Sequence, residues 1–435
     1  MRIAIIGAGV AGPTLAAILA RVKPRPGQAA PIVHLFERDA RVRDQGTGYD
    51  LNQRAREALQ KAGVFHRYAE MCRPNSNIMA TYVVGNERPL FKFTQPRRLQ
   101  RWIPPKLETN REVMRDILLE EIEHSATVRF ECAVQDARRV DAGAGIELLG
   151  DDGTPLGEFD LCVDTSGVRS PLRRLRIEDD SLVPKYTGTS MVHGIIRDPE
   201  LQCDPKLVRH LGQGTATFLG PRGANVTLQR YGARPEDHRT SFYFFFPANS
   251  FGELAQQIGL PESTSFTHDR EMVARARSWL HGQLPNWSAS YRSAVDAVGA
   301  VAIRPIVIHT ASPRFRTSDL PLICIGDALH VVPPWTGVGG NLAMHDALDV
   351  GEYVSNVASG STPLSIDGLR ALEQKLVARL PDVHKTSDYM MKMHADLRAR
   401  LAGKDDVSGE TLSSLFGLPT AAVLALLGAI NSVFE

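Results

Sequence analysis

Four consecutive apolar residues, Ile3-Ala4-Ile5-Ile6, stand at the head of the chain and give way at once to Gly7-Ala8-Gly9-Val10-Ala11-Gly12. So short an apolar run, closed by glycine, predicts a buried parallel strand entering a tight turn. Pro13 to Val22 then has helix-forming composition, with proline in a first turn that does not need its N–H. A second strand is expected at Ile32-Val33-His34-Leu35-Phe36, ending in Glu37. Near the other end the pattern returns: Leu322-Ile323-Cys324-Ile325, then Gly326-Asp327-Ala328-Leu329-His330, then Pro333-Pro334-Trp335-Thr336-Gly337-Val338-Gly339-Gly340-Asn341, then a helix through about Val357. Between these ends, Met191 to Ile196, Thr215 to Leu219, Asn225 to Tyr231 and Thr240 to Pro247 are strand-like and separated by turns, as in an antiparallel sheet. After Pro363 the periodicity becomes helical, with Leu369, Leu372, Leu376 and Leu380 on one face.

These elements predict an α/β protein: a Rossmann-like nucleotide-binding domain in two portions, an inserted antiparallel sheet, and a C-terminal helical segment. The expected divisions are 1–182 and 309–362 for the nucleotide-binding portions, 183–308 for the sheet and 363–435 for the helices. The uncharged run from Ile3 to Ala20 is interrupted by glycine and proline too early for a membrane helix. Thr420 to Ile430 is about half the length of a span, so no transmembrane segment is predicted. The Gly143-Ala144-Gly145 string lacks a third glycine and reads as a hairpin turn.

Composition narrows the function. Fifty basic against 49 acidic residues in 435 leave no global field for nucleic acid or an anionic membrane, and neither is expected as a partner. The five cysteines are scattered, with no C-x-x-C pair, so no disulfide framework or zinc site is expected and a reducing, cytoplasmic setting fits. No metal site is assigned. Met390, Met391 and Met393 read as adaptable core.

The chemistry begins in the first glycine turn. In G-x-G-x-x-G after a strand, the first glycine makes the turn, the second admits a pyrophosphate and the third lets helix pack on strand. The helix N-terminus offers N–H groups to the anion, and Glu37 is placed to accept hydrogen bonds from a ribose diol. A dinucleotide is the ligand this pattern specifies.

The second string, GDALHVVPPWTGVGGNLAMHDA, resembles the second FAD motif of the single-component flavoprotein monooxygenases, the family of para-hydroxybenzoate hydroxylase and the tetracycline-inactivating monooxygenases. The resemblance implies FAD held by Gly7, Gly9, Ala11, Gly12, Glu37, Arg38, Arg111, Asp327, Pro334, Gly337, Gly339, Gly340 and Asn341. Asp327 would take a ribityl or ribose hydroxyl. The Gly337 to Asn341 turn would face the flavin N1/C2=O edge, and Pro334 and Trp335 would line the flavin face. Gly46 to Leu51 resembles the family's flavin-side loop. Thr109 to Arg115 resembles its helix opening, with Arg111 reaching the cofactor and Arg115 in a salt bridge. Asp160 to Ser170 resembles its third motif, except that Ser166 stands where the family has aspartate and Asp164 lies two residues earlier.

The activity so implied uses NADPH or NADH as transient reductant and O2 as co-substrate. It hydroxylates an aromatic or polycyclic phenolic compound through a flavin C4a-hydroperoxide, in secondary metabolism or xenobiotic modification, by a monomer or homodimer. No catalytic acid or base is assigned. In Phe242 to Phe246 alternate residues face opposite ways; His193, Phe244 and Arg304 are the substrate-pocket candidates. An FAD-dependent reductase, dehydrogenase or halogenase on the same scaffold, or a non-catalytic FAD-binding protein, is the alternative.

Overall fold

The structure, a computed structural model, describes residues 1–42, 48–72, 79–84, 89, 91–93, 107–140, 145–178, 183–220, 224–231, 239–310, 312–334 and 337–401. The apolar runs at both ends of the chain meet in one five-stranded sheet. Its spatial order is Leu322–Cys324, Leu161–Asp164, Arg2–Ile6, Ile32–Phe36, Ala126–Arg129. Every pairing is parallel, and Ile5 lies between Val163 and Leu35. Both faces are covered, which is why these strands read as unbroken apolar runs rather than alternating ones. Ile3 and Ile5 pack with Leu15, Met344 and Leu348 of the helices Ala11–Leu19 and Gly339–Ala358. Ala4 and Ile6 face the other way, against Ile146, Leu148 and Phe159 of a three-stranded antiparallel sheet formed by Val134–Arg139, Ile146–Gly150 and Pro155–Phe159. The first helix starts at Ala11, inside the glycine turn and two residues before the expected Pro13.

A seven-stranded sheet forms the second body of the fold. Its order is Val298–Ile308, Lys185–Arg197, Arg239–Pro247, Asn225–Tyr231, Thr215–Leu219, Met79–Val83, Phe91–Phe93. The first five strands pair antiparallel, as the turn spacing predicted. The last two come from the preceding part of the chain, beyond the expected 183–308 insertion, and Met79–Val83 joins Thr215–Leu219 in parallel. Helices Pro205–Leu211, Phe251–Ile258, Arg270–Gln283 and Ala289–Asp296 contribute Leu207, Leu254, Leu280 and Val295 to the apolar cluster on one face of this sheet.

A two-stranded ladder, Gly48–Asp50 with Glu108–Asn110, bridges the two bodies: a side chain at Gly48 would touch Gln229 of the seven-stranded sheet. At the C-terminal end, Leu369, Leu372 and Leu376 of helix Ile366–Val377 enter the main core, as their spacing predicted. On the same helix the buried Glu373 receives both Nε and a terminal nitrogen of Arg176, at 2.6 and 2.7 Å, which fastens the helix to the turn after Leu161–Asp164. Helix Leu380–Leu401 follows; the side chains of the methionine group and the apolar 415–434 segment lie outside the described residues. Among the described residues no helix is long and apolar enough to cross a membrane.

Candidate FAD site

The glycine turn is folded down onto the neighbouring strand's exit. Gly7 has φ +105°, and a Cβ there would lie 2.7 Å from the Thr165 carbonyl oxygen. A Cβ at Gly12 would lie 2.1 Å from the Gly7 oxygen and 2.7 Å from Thr165 Oγ1, so only glycine lets helix and strand approach this closely. Gly9 is different: its built Cβ meets nothing nearer than an Arg111 terminal nitrogen at 3.4 Å. The turn is therefore closed behind Gly7 and Gly12 and open in front of Gly9. Glu37 at the end of the second strand is buried, accepting from Ala8 N–H at 2.7 Å and Asp39 N–H at 2.9 Å.

Arg111 owes its position to a cap. Asn110 Oδ1 accepts from Glu112 N–H at 3.1 Å, starting helix Arg111–Glu121 so that Arg111 is its first residue, above Gly9. Its Nε is buried without a hydrogen-bond partner. One turn on, Arg115 makes the expected salt bridge, to Asp116 at 3.8 Å, and in addition donates its Nε to the Ala8 carbonyl at 2.6 Å and another nitrogen to the Arg41 carbonyl at 2.7 Å. Arg115 is a buried brace for the glycine turn.

The second turn approaches from the opposite end of the chain. Asp327 lies exposed on a short 3-10 turn, Gly326–Ala328, directly after strand Leu322–Cys324. Arg173 clamps this turn to the Gly167 turn, donating to Ala328 O at 2.7 Å, Asp327 O at 2.9 Å, Val168 O at 3.1 Å and Gly167 O at 3.3 Å. Arg173 was not singled out from sequence, and Arg115 was read there as a salt-bridge residue alone, because an arginine engaged with distant carbonyls carries no local signature. Asp164 does not replace the missing aspartate at 166. Its fully buried carboxylate is engaged inward, accepting from Ser166 N–H at 2.9 Å, Ser166 Oγ at 2.5 Å and Ser170 Oγ.

Asn341 binds the Gly337 turn to the first half of the chain. Its Oδ1 accepts from Asn52 N–H at 2.9 Å and its Nδ2 donates to the Gly337 carbonyl at 3.2 Å. Beneath it, the buried Asp346 accepts from Gly326 N–H at 2.9 Å and from His330 Nε2 at 2.7 Å. Burial alone would lower His330, but the Asp346 charge and hydrogen bond outweigh it and raise His330 above its ordinary value.

Helices Gln53–Lys61, Phe251–Ile258, Arg270–Gln283 and Ile366–Val377, like Arg111–Glu121, begin with a side-chain cap. Helices Ala11–Leu19 and Gly339–Ala358 have neither side-chain cap nor acidic residue in the first turn. A helix start without these partners presents N–H dipoles to an anion. Helices Phe65–Met71, Arg173–Arg176 and Ala289–Asp296 share that lack, but the starts at Ala11 and Gly339 are the ones set in the two glycine turns, so the residues there fit a dinucleotide of this shape and charge.

A sequence model for the FAD-binding domain matches residues 309–366. The 3-amino-4-hydroxybenzoate 2-monooxygenase of Streptomyces cremeus is 24% identical over 352 residues, covering 80% of this chain and 76% of that protein. The chain is thus similar to FAD-dependent monooxygenases and carries a match to their cofactor-binding domain. Its cofactor is FAD. In fold it is similar to Klebsiella pneumoniae HpxO, solved with FAD and uric acid, at TM-score 0.70 and 18% identity over 100% of this chain and 96% of the other. It is also similar to 2,6-dihydroxypyridine-3-hydroxylase of Arthrobacter nicotinovorans, at TM-score 0.70 and 17% identity over 94% of both chains.

The remaining candidates in this flavoprotein divide between the site and its surroundings. Gly339 and Gly340 open the second uncapped helix, and Ala11 opens the first. Pro334 is exposed beside the second turn, while Trp335 and, of the flavin-side loop, Gly46 and Thr47 lie outside the described residues. Arg38 is largely exposed and paired with Asp39 at 3.0 Å, which raises its pKa above the ordinary value through that hydrogen bond and charge.

The pocket candidates separate across the seven-stranded sheet. Register pairs His193 with Tyr243 and Ala302, Met191 with Arg304 and Phe245, and Val192 with Phe244. His193, Tyr243 and Arg304 therefore share the inner face. Tyr243 hydroxyl donates to Gln229 Oε1 at 3.0 Å and Gln229 in turn to Glu108, which links this face to the Arg111 helix opening. Phe244 sits on the other face, 6.1 Å ring to ring from Trp279, in the helix-covered core. Burial, then the Arg304 charge, holds His193 well below its ordinary pKa, so it is neutral at pH 7. Its Nε2 lies 3.1 Å from Ser241 Oγ and its Nδ1 has no partner.

Proposed function

We propose that this chain is an NAD(P)H-consuming, FAD-dependent monooxygenase that places one atom of O2 on an aromatic or polycyclic phenolic small molecule. The observation that carries the reading is that Gly326 packs against both Ala11 and Ala343, near the starts of two uncapped helices, while Arg111 stands over the open side of Gly9 and the polar inner face of the seven-stranded sheet is linked to the Arg111 helix opening. The relatives named above support the substrate class, since a hydroxybenzoate, a dihydroxypyridine and uric acid are all flat ring compounds.

When bound, FAD supplies the passage of two electrons from NAD(P)H to O2, so that one oxygen atom reaches the substrate and the other leaves as water. The chain's own residues bind, orient and exclude water. Gly9 and Arg111 would receive the pyrophosphate, the former by leaving room and the latter by charge. Glu37 and Asp327 would accept from the sugar hydroxyls. The N–H groups at Gly339 and Gly340 would stabilise negative charge gathering on the ring system as it is reduced. Val338 and Leu342, packed on Val383, close the rear of this turn. His193, neutral and buried, is suited to orienting a ring rather than supplying a proton. The domains would follow the same division of labour: 1–182, apart from the strands Met79–Val83 and Phe91–Phe93, and 309–362 would hold FAD, 183–308 with those two strands the substrate, and 363–435 would cap the nucleotide-binding core.

The test is the visible spectrum of the purified protein under anaerobic NADPH or NADH, then in air, with candidate phenols added in turn. Bleaching that returns in air, with hydroxylated product from one phenol, supports the reading. Retained flavin that neither nucleotide reduces, with every phenol present, overturns it.

A further inference from the structure

The inner face of the seven-stranded sheet holds a positive charge that no carboxylate among the described residues neutralises. Among the described residues Arg304 makes no hydrogen bond or ion pair, and its Nε is fully shielded from solvent. Its sole cation partner is the face of Phe266, 5.4 Å from guanidinium carbon to ring centre. Phe266 also meets His193 edge to face at 4.8 Å, and His193 lies 4.7 Å from Tyr243, so one guanidinium, one neutral imidazole and two aromatic rings form a single cluster. Burial, with the Arg111 charge adding to it, brings Arg304 down to about 10, which leaves it protonated at neutral pH. Arg111, the other cation on this side, likewise has a buried Nε without a partner.

A half-buried cation with its Nε shielded, beside a second cation and with no carboxylate paired to it among the described residues, is an unfavourable arrangement for an empty protein. Arg111 has a destination in the FAD pyrophosphate, since it stands over Gly9. Arg304 has none: it belongs to the sheet, on strand Val298–Ile308, opposite Met191. A planar guanidinium backed by an aromatic ring presents its remaining N–H edge to a carboxylate in two-point fashion. We propose that Arg304 is the specificity residue for an acidic substrate: the molecule bound on this face is an aromatic carboxylate, with its acid group on Arg304 and its ring beside His193, Tyr243 and Phe266. This deepens the monooxygenase reading and rests on it for the identity of the site.

The experiment is an equilibrium titration of the FAD-loaded protein, read by calorimetry and by the flavin difference spectrum, with no nucleotide present. The probes are 4-hydroxybenzoate and 1-hydroxy-2-naphthoate, each against its neutral carboxamide. A charge-assisted pair predicts that an acid binds about 10- to 100-fold more tightly than its amide. Arg304→Met should erase that preference with FAD retained, and Arg304→Lys should restore part of it. Acid and amide behaving alike in the wild type, both failing to bind included, overturns the proposal without any variant. A preference unchanged in Arg304→Met, or loss of FAD from Arg304→Lys, also overturns it, the latter by assigning Arg304 to the cofactor. Because no turnover is measured, acid selectivity can hold while the reduction test fails, and the two readings are separable.

Discussion

The two sides of the seven-stranded sheet are made of the same strands and obey opposite rules. On the outer side Val192, Phe242, Phe244 and Ile303 pack on helices through Leu254, Leu280 and Tyr291 in a continuous apolar cluster. On the inner side, one residue along each strand, stand His193, Tyr243 and Arg304, with an imidazole nitrogen and a guanidinium nitrogen buried without partners. Burying an apolar ring stabilises a fold, whereas burying an unpaired polar nitrogen costs about 1–3 kcal/mol. Unpartnered polar atoms occur on the outer side as well, at Thr240 Oγ1 and Trp287 Nε1, but the inner face gathers a partnerless imidazole nitrogen and a partnerless guanidinium nitrogen around one aromatic ring, a concentration that suits a ligand-binding face. The glycine turns belong to the inner side in this sense, since their open edges and uncapped helix starts are equally incomplete without a ligand.

The sharpest way to separate the two sides is to disable one and leave the other intact. Gly9→Val should abolish FAD retention while the apo fold survives. Gly9 is not held in the left-handed region, and the nearest atom to a new Cβ is the mobile end of Arg111 at 3.4 Å, so the backbone accepts the change. The branched side chain would then occupy the pyrophosphate approach. Circular dichroism and flavin content of the purified variant measure both halves; normal flavin in a folded variant refutes the assignment of this turn. Phe244→Ala is the converse. It should cost about 3–5 kcal/mol of unfolding free energy, the usual price of an emptied aromatic site, with FAD affinity unchanged. A loss of ligand binding without a loss of stability would place Phe244 in the pocket after all.

How far these sides could be read from the sequence depends on the range of the forces that build them. The parallel strands and both glycine turns were legible because apolar runs, glycine and helix starts are local signals. The alternation in Phe242 to Phe246 showed that two faces exist, but not which was inner: that was set by register with Lys185–Arg197 and by helices elsewhere in the chain, and it put Phe244 on the far side. Met79–Val83 was invisible as part of this sheet for a similar reason, since its parallel pairing with Thr215–Leu219 spans more than a hundred residues. Arg173 was missed, and the bracing role of Arg115 was not foreseen beside its salt bridge, because the partners concerned are backbone carbonyls, which every residue type supplies.

A smaller effect is expected where a ligand contact can be removed without touching either core. Asp327 is exposed, and its backbone carbonyl, not its side chain, receives Arg173. Asp327→Ala should therefore weaken FAD by about 10- to 100-fold, the range for a hydrogen bond to a charged group, with the melting temperature of the apo protein unchanged. Fluorescence titration of apo protein with FAD checks the first and scanning calorimetry the second. Unchanged affinity removes Asp327 from the site.

The smallest effect concerns protons. His193 is held below its ordinary pKa by burial and the Arg304 charge, so the folded chain resists a proton that the unfolded chain accepts near 6.5. For a base depressed in this way, stability is lost as pH falls below the unfolded value, by at most about 1.4 kcal/mol per unit. His309, lowered to about 3, and His345, lowered to about 4, act in the same direction, both chiefly through burial, while the raised His330 has its stabilising contribution already in place below 6.5 and changes the slope only above it. The protein as a whole should therefore soften between pH 6.5 and 4.5. His193→Phe keeps a ring between Tyr243 and Phe266 and removes one of these titrations, so its unfolding free energy should fall less steeply than the wild type's over that interval. Arg304, protonated throughout it, adds nothing to the slope of either protein. Urea titrations at half-unit steps measure the two slopes, and parallel slopes would mean that His193 takes up a proton in the folded protein and that the inner face is wetter than its burial indicates.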